Sequence, residues 1–407
     1  MGGIRQAGMA LTECKQSETR MLNVIIDIKV MFRRFMFPVF VLAILTGCDQ
    51  VGQNPKDVHL KIVQSSPNYD MASQKFVNRR PNIMKTMGDD TSFWDDPIGR
   101  LRHNFFFNSN ETSPSQLIPE DRSGVPADFG DSAGTVKFIW LGHSSFLLSI
   151  NNKIVLVDPV FSGAASPFSF LVKRFQPPVI SFHDLPDLDY VLISHDHYDH
   201  LDMETIIKLK DDDVTFITPL GVSAHMRKWG VDSDKLIELD WWDEIDFDGV
   251  TFICTPAQHF SGRMALVSTM KTLWASWIVK GGGKSVYYSG DSGYDVHYKD
   301  IGDRYGAFDI VFMDSGQYNE RWAAVHNMPD EVIQGFLDLQ GRHLVPVHWG
   351  MFTLSLHNWY DPPVEITKRA KPHNISVMTP LMGQTVRLDN PGIFERWWEA
   401  LIGKADD

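Results

Sequence analysis

Short apolar runs recur along the chain, and several of them end on a residue able to bind a metal or move a proton. Tyr190-Val191-Leu192-Ile193 runs into Ser194-His195-Asp196-His197-Tyr198-Asp199-His200. Val250 to Cys254 leads to His259, Ser285 to Tyr288 to Asp291, Phe308 to Phe312 to Asp314, and His343 to Val347 to His348. Runs of this length, rich in β-branched and aromatic residues and bounded by Gly, Pro and Asp, predict buried strands. Val136 to Trp140 predicts another. Phe146-Leu147-Leu148 and Ile154 to Val157 predict a hairpin turning at Asn151-Asn152, and Trp274 to Val279 and Ser285 to Tyr288 predict a pair divided by Gly281-Gly282-Gly283. Strands that all end in chemistry predict a layered α/β fold with its site along one edge of the sheets. No internal repeat of fixed period is present.

The segment from His195 to Asp202 holds three imidazoles and three carboxylates. These are the ligand types that zinc takes in catalytic sites. His195 and His197 are two apart, so in an extended loop they project the same way and can grip one ion. Asp199 and His200 are adjacent and must point elsewhere, most simply at a second ion. A solvated polar loop with helix-capping histidines needs no such density of ligands. The segment predicts a binuclear metal site.

With these residues in place, the chain resembles the metallo-β-lactamase superfamily, an αββα sandwich of the α/β class. Within it the resemblance is to the N-acylphosphatidylethanolamine-hydrolysing phospholipase D family. It runs from about Phe76 to Leu388 and includes Trp140 to Ser144, Asp158 to Phe161, Pro177-Pro178, Pro256 to His259, Ser289 to Tyr294, His348 to Phe352 and Asp361 to Val364. The His-x-His-x-Asp-His motif carries only the superfamily; the other segments narrow it to this branch, which also resembles bacterial proteins of the sugar-phosphate lactonase kind. The resemblance implies two Zn²⁺ per chain. One zinc falls on His195, His197 and His259, the second on Asp199, His200 and His348, and Asp291 bridges them. Asp199 and Asp291 are then catalytic as well as ligating. His326 matches a histidine lining the active site of those phospholipases and is the expected proton donor, with a helix-entry role beside Pro329 as the alternative. His143 and His357 are expected to support or pack.

Composition bounds the rest. With 407 residues, 43% hydrophobic and 22% charged, the chain can bury one large layered domain. A formal charge of −13 and no basic run exclude nucleic acid as a partner. Net charge does not exclude an anionic phospholipid, because two bound zinc ions dominate the local field. Three cysteines, Cys14, Cys48 and Cys254, give no disulfide framework.

The amino terminus reads differently. Arg33-Arg34, the apolar stretch Phe35 to Leu45, and then Leu45-Thr46-Gly47-Cys48 describe a secretory signal. Leu-Thr-Gly-Cys resembles the bacterial lipobox, which makes Cys48 the expected lipidated first residue of a membrane-anchored lipoprotein of the bacterial cell envelope, facing the periplasm. Translation is then expected to start at Met31. The expected organisation is a leader over 1–48, a tether over 49–75, an extension packed on the core over 76–134 with the aromatics Phe93-Trp94 and Phe105-Phe106-Phe107, and the hydrolase domain over 135–407.

The resemblance implies a zinc-dependent phosphodiesterase of phospholipase D type. Its substrate would be N-acylphosphatidylethanolamine or a related phospholipid, attacked by a metal-activated hydroxide. The same metals also fit a soluble lactone, sugar-phosphate lactone or small cyclic phosphodiester, and a non-catalytic envelope lipoprotein is the third class. The loop Ser166 to Phe175, with three aromatics and two cations, suits a lipid interface; the alternative is ordinary packing on the sheet. Oligomeric state is not legible in the sequence.

Overall fold

A computed structural model describes residues 49–83, 111–263 and 269–403. Helix α1 (Asp57–Ser65) and a hairpin of β1 (Tyr69–Asp70) and β2 (Lys75–Phe76) come first. Then follow β3 (Val136–Gly142), β4 (Ser145–Ile150), β5 (Lys153–Val157), β6 (Tyr190–Leu192), α2 (Met203–Leu209), β7 (Thr215–Pro219), α3 (Ser223–Lys228) and β8 (Leu236–Leu239). The second half contains β9 (Glu244–Phe247), β10 (Val250–Thr255), β11 (Ser276–Gly281), β12 (Lys284–Tyr288), α4 (His297–Tyr305), β13 (Ile310–Asp314), α5 (Pro329–Asp338), β14 (His343–Val347), α6 (Asp361–Ala370) and β15 (Ser376–Val377). Strand β16 (Thr385–Arg387) returns to pair with β3.

Two seven-stranded sheets result, ordered β16-β3-β4-β5-β6-β7-β8 and β15-β14-β13-β12-β11-β10-β9. Each is antiparallel in one half and parallel in the other, so the two halves of the chain share a plan that no sequence repeat reveals. Every residue of β3 and β4 is buried, which is why Phe138 to Leu141 and Phe146 to Leu148 read as apolar runs rather than as alternations. The β4–β5 hairpin turns at Asn151 and Asn152, with φ of 48° and 62°, the doubly left-handed pattern of a type I′ turn.

The sheets face each other through rings. Phe312 of β13 stacks on Phe146 of β4 at 4.1 Å and meets Phe138 of β3 edge-on at 5.1 Å. Truncating Phe312 to Ala would empty both contacts, a loss of about 3–5 kcal/mol. Helices α4, α5 and α6 cover the second sheet with Tyr298, Ile301, Val332, Phe336 and Ile366 against Ile278, Tyr287, Val311 and Leu344. Ile206 and Leu209 of α2 and Met226 of α3 join the larger core. This is the αββα sandwich.

The sandwich brings the chemistry together. Parallel pairing of β5 to β8 and of β12 to β15 aligns strand ends. The segment His195 to His200 follows β6, Asp291 follows β12, Asp314 ends β13 and His348 follows β14. The two sheets are stitched at this edge by backbone hydrogen bonds from His143 N–H to the Trp349 carbonyl and from His348 N–H to the His143 carbonyl, both 3.0 Å. His143 and His348 have φ of 53° and 67°, a cost that residues at functional sites are commonly held to by their surroundings.

The amino-terminal expectation needs correction. Residues 57–75 of the expected tether are not open chain: Val63 and Tyr69 are buried in the main core, on a helix and hairpin too short for periodicity to reveal. Ile118 and Phe129 of the expected extension are also buried. Met31, Cys48, Phe93-Trp94 and Phe105 to Phe107 lie outside the described residues. Among the described residues no helix is long and apolar enough to cross a membrane.

Candidate metal centre

Three overlapping groups of ligand-type atoms converge at the strand ends, each gathered within 4.8 Å: His195, His197, His259 and Asp291; His143, Asp199, His200 and His348; and Asp291, Asp314, His326 and His348. In the first, Nδ1 of His197 lies 2.9 Å from Nε2 of His195 and 3.2 Å from Nε2 of His259. Asp291 Oδ2 lies 3.8 Å from His195 Nε2 and 3.7 Å from His259 Nε2. The same carboxylate reaches the second group, with Oδ1 3.1 Å from His200 Nε2 and Oδ2 3.2 Å from His348 Nε2. Asp199 Oδ2 lies 3.4 Å and 3.2 Å from those two nitrogens. All seven residues expected as ligands are therefore adjacent, and Asp291 spans the first two groups.

The donor set fits divalent cations. His200 Nε2 and Asp291 Oδ1 are buried and face each other at 3.1 Å without a hydrogen bond of good geometry, a costly state that a cation held by both would relieve. Burial holds the imidazoles of His195 and His259 well below their usual pKa, so both are neutral ligands with a free lone pair. Burial also opposes charge on His348, but Asp291 and Asp314 outweigh it and push its pKa up to about 10. The pocket stabilises positive charge there, and a metal ion would displace that proton. Burial would raise Asp291, yet His200 and His348 hold its carboxyl well below the carboxylate range.

Each candidate ligand histidine but His197 is gripped at its other ring nitrogen. His200 Nδ1 meets Asp158 Oδ2 at 2.7 Å, His348 Nδ1 meets Asp314 Oδ1 at 3.0 Å, His259 Nδ1 meets the Val325 carbonyl at 3.0 Å, and His195 Nδ1 meets Ser194 Oγ at 3.0 Å. Such partners fix ring orientation and raise basicity. Asp158 also accepts from Ser194 N–H and from the Ser194 and Tyr288 hydroxyls.

His326 stands beside the first two groups, its ring 5.1 Å from those of His259 and His348. Its Nδ1 lies 2.9 Å from Asp314 Oδ2. His143 Nε2 lies 3.0 Å from Asp199 Oδ2, the placement of a donor that steadies a ligating carboxylate. His357 stands apart, stacked on Tyr318 at 4.4 Å. Sequence reasoning singled out Asp314 only as a candidate ligand at the end of an apolar run and assigned no role to Asp158. Both sit at the ends of apolar runs, as the ligands do, and a pattern of residue types cannot tell a carboxylate that binds metal from one that orients a ligand.

A β-lactamase superfamily domain model matches residues 153–349. An uncharacterized protein of Mycobacterium tuberculosis is 36% identical over 342 residues, covering 83% of this chain and 88% of its own length. N-acyl-phosphatidylethanolamine-hydrolyzing phospholipase D 1 of Caenorhabditis elegans is 34% identical over 272 residues, 63% of this chain and 76% of that protein. Outer membrane protein RomA of Klebsiella pneumoniae is 45% identical over 103 residues, 25% of this chain and 76% of that protein. The chain belongs to the metallo-β-lactamase superfamily, in the branch that holds the N-acylphosphatidylethanolamine-hydrolysing phospholipases D, and is a metal-dependent hydrolase.

Proposed function

We propose that this hydrolase is a phosphodiesterase of phospholipase D type, acting on N-acylphosphatidylethanolamine or a related phospholipid with two zinc ions per chain. His195, His197 and His259 would hold one ion, Asp199, His200 and His348 the other, and Asp291 both. The observation that carries the reading is the single buried carboxylate of Asp291 within reach of both histidine groups, since a carboxylate has two oxygens to share. When bound, the ions supply a water acidic enough to attack at neutral pH and a positive field for phosphoryl oxygens.

The chain's own residues account for the remaining steps. Phosphorus gains a bond to the water oxygen and loses its bond to the oxygen of the N-acylethanolamine headgroup. That leaving oxygen is a poor alkoxide and needs a proton. His326 can deliver it: Asp314 holds Nδ1, and the partly exposed ring keeps Nε2 for exchange. His143 keeps Asp199 turned toward the ligand groups, and burial holds His143 down to a pKa of about 4, so its Nε2–H donates from a neutral ring.

Support for a lipid substrate comes from the loop 163–174. It is closed by Ala165 N–H to the Val172 carbonyl at 3.0 Å and Arg174 N–H to the Gly163 carbonyl at 3.1 Å. Its tip carries Phe170 and Leu171, 65% and 47% exposed, with Phe168 stacked on Phe170. Arg174 is not the phosphate-facing cation anticipated from the sequence: its guanidinium donates to the carbonyls of Val160, Ser162 and Gln176. It lies over the ring of Phe352, which meets His143 edge-on. The loop is thus a braced projection rooted beside the centre, with Lys173 exposed on it. A lipid anchor at Cys48 and an address in the bacterial cell envelope, facing the periplasm, complete the proposal; the likeness to an outer membrane protein supports the address.

The test is an assay of the purified zinc form on vesicles of N-acylphosphatidylethanolamine, on a cyclic nucleotide and on a lactone panel. Release of phosphatidic acid and N-acylethanolamine, with slower turnover of the soluble compounds, is expected. Preferred lactone or cyclic phosphodiester hydrolysis would contradict the lipid substrate.

A further inference from the structure

The ligands His195 and His197 project forward, and the residue between them points the other way. Asp196 is fully buried behind the loop, where Oδ1 accepts from Gly262 N–H at 2.6 Å and Oδ2 from the Thr272 hydroxyl at 2.8 Å. A third partner is His225 of α3, whose Nε2 lies 3.1 Å from Oδ2. His225 is itself fully buried, and its other nitrogen, Nδ1, receives the backbone N–H of Gln53 at 3.0 Å.

That last contact fixes the chemistry of the chain of bonds. A backbone N–H can only donate, so Nδ1 of His225 is an acceptor without a proton, and in the neutral ring the proton sits on Nε2 and is donated to Asp196. Residues 172 positions apart are thus linked by one directed path, Gln53 to His225 to Asp196. The seat is tight. Gly52 has φ of 72°, and a Cβ there would lie 2.1 Å from His225 Nδ1. Lys228 donates to the Gly52 carbonyl at 3.1 Å, and Pro55 is buried, with a Cβ on Gly221 falling 3.0 Å from its ring.

We propose that His225 is a positioning residue of the metal centre and that the segment Val51 to Pro55 is the strut that holds it. Through Asp196 the strut sets the backbone from which His195 and His197 reach the first ion. Arg263 braces the same loop independently, donating to the carbonyls of Asp196 at 2.9 Å and Leu201 at 2.7 Å, so loss of the strut loosens the loop without releasing it. The inference rests on reading His195 and His197 as ligands.

The experiment measures zinc affinity by competition with a chromogenic chelator, in full-length protein and one site at a time. In a His348→Ala background the His195–His197–His259 site remains to be filled; in a His195→Ala background the other does. His225→Phe keeps the ring packing and removes both hydrogen bonds. Gly52→Ala disturbs the same seat from the other end. Each should weaken the first site about 10–100-fold, the range seen when partners behind a metal ligand are removed, and leave the second site unchanged. His225→Gln, with one acceptor and one donor at its end, should recover most of the loss. Unchanged affinity of the first site in both His225→Phe and Gly52→Ala would overturn the proposal. Equal weakening of both sites, with a lower melting temperature of the zinc-free protein, would also overturn it, as general destabilisation. If His195→Ala itself leaves the first site filled, the ligand reading fails and the strut with it.

Discussion

Asp314 receives His326 on one carboxylate oxygen at 2.9 Å, and its other oxygen holds the ligand His348 at 3.0 Å. One buried carboxylate therefore orients both a proposed metal ligand and the proposed proton donor. His326→Gln should lower turnover of a lipid with an alkoxide leaving group by about 100-fold, within the usual range for general acid catalysis. A nitrophenyl phosphodiester, whose leaving group needs no proton, should be hydrolysed nearly as fast as by wild type, with zinc content unchanged. Equal loss on both substrates would remove His326 from the proton-transfer role.

The loop tip separates lipid from soluble substrates. Phe170→Ser with Leu171→Ser removes two exposed apolar side chains, each worth up to about 1.5–3 kcal/mol when fully buried in an apolar phase. Vesicle turnover should fall about tenfold or more, while hydrolysis of a small soluble phosphodiester stays intact because the metal centre is untouched. Arg174 is excluded from this variant, since its bonds to three carbonyls make it part of the loop's frame. Comparable losses on both substrates would identify the tip as structural.

The layered fold was legible because buried strands on both sheets leave long apolar runs, and the turn at Asn151-Asn152 because few residues tolerate two left-handed positions in succession. The seven ligand-type residues were legible because imidazoles and carboxylates at strand ends have few other uses at such density. What escaped is what depends on contact between distant segments. Asp158 and Asp314 act through His200 and His348, partners 42 and 34 positions away along the chain, and no local spacing encodes that. The segment 57–75 was misread because a nine-residue helix that buries Val63 presents too few apolar positions to show a period, and the two-residue strands after it show none. Arg174 looked like a surface cation because its carbonyl partners are backbone atoms, which carry no signature in a sequence.

The proposed anchor has its own test. Cys48→Ala should abolish incorporation of labelled fatty acid and release the protein from the membrane fraction or leave an unprocessed signal attached. Label entering the mutant as well as the wild type, or a mature amino terminus mapped away from Cys48, would count against lipidation at this position.

Zinc stoichiometry addresses the shared carboxylate most directly. Zinc-free protein titrated with metal should gain activity up to a plateau at two ions per chain, and Asp291→Ala, which removes a ligand from both groups at once, should weaken both ions and abolish turnover. His195→Ala should empty one site and leave the other able to fill. Full activity at one zinc per chain, with a second ion adding nothing, would contradict the two-metal account.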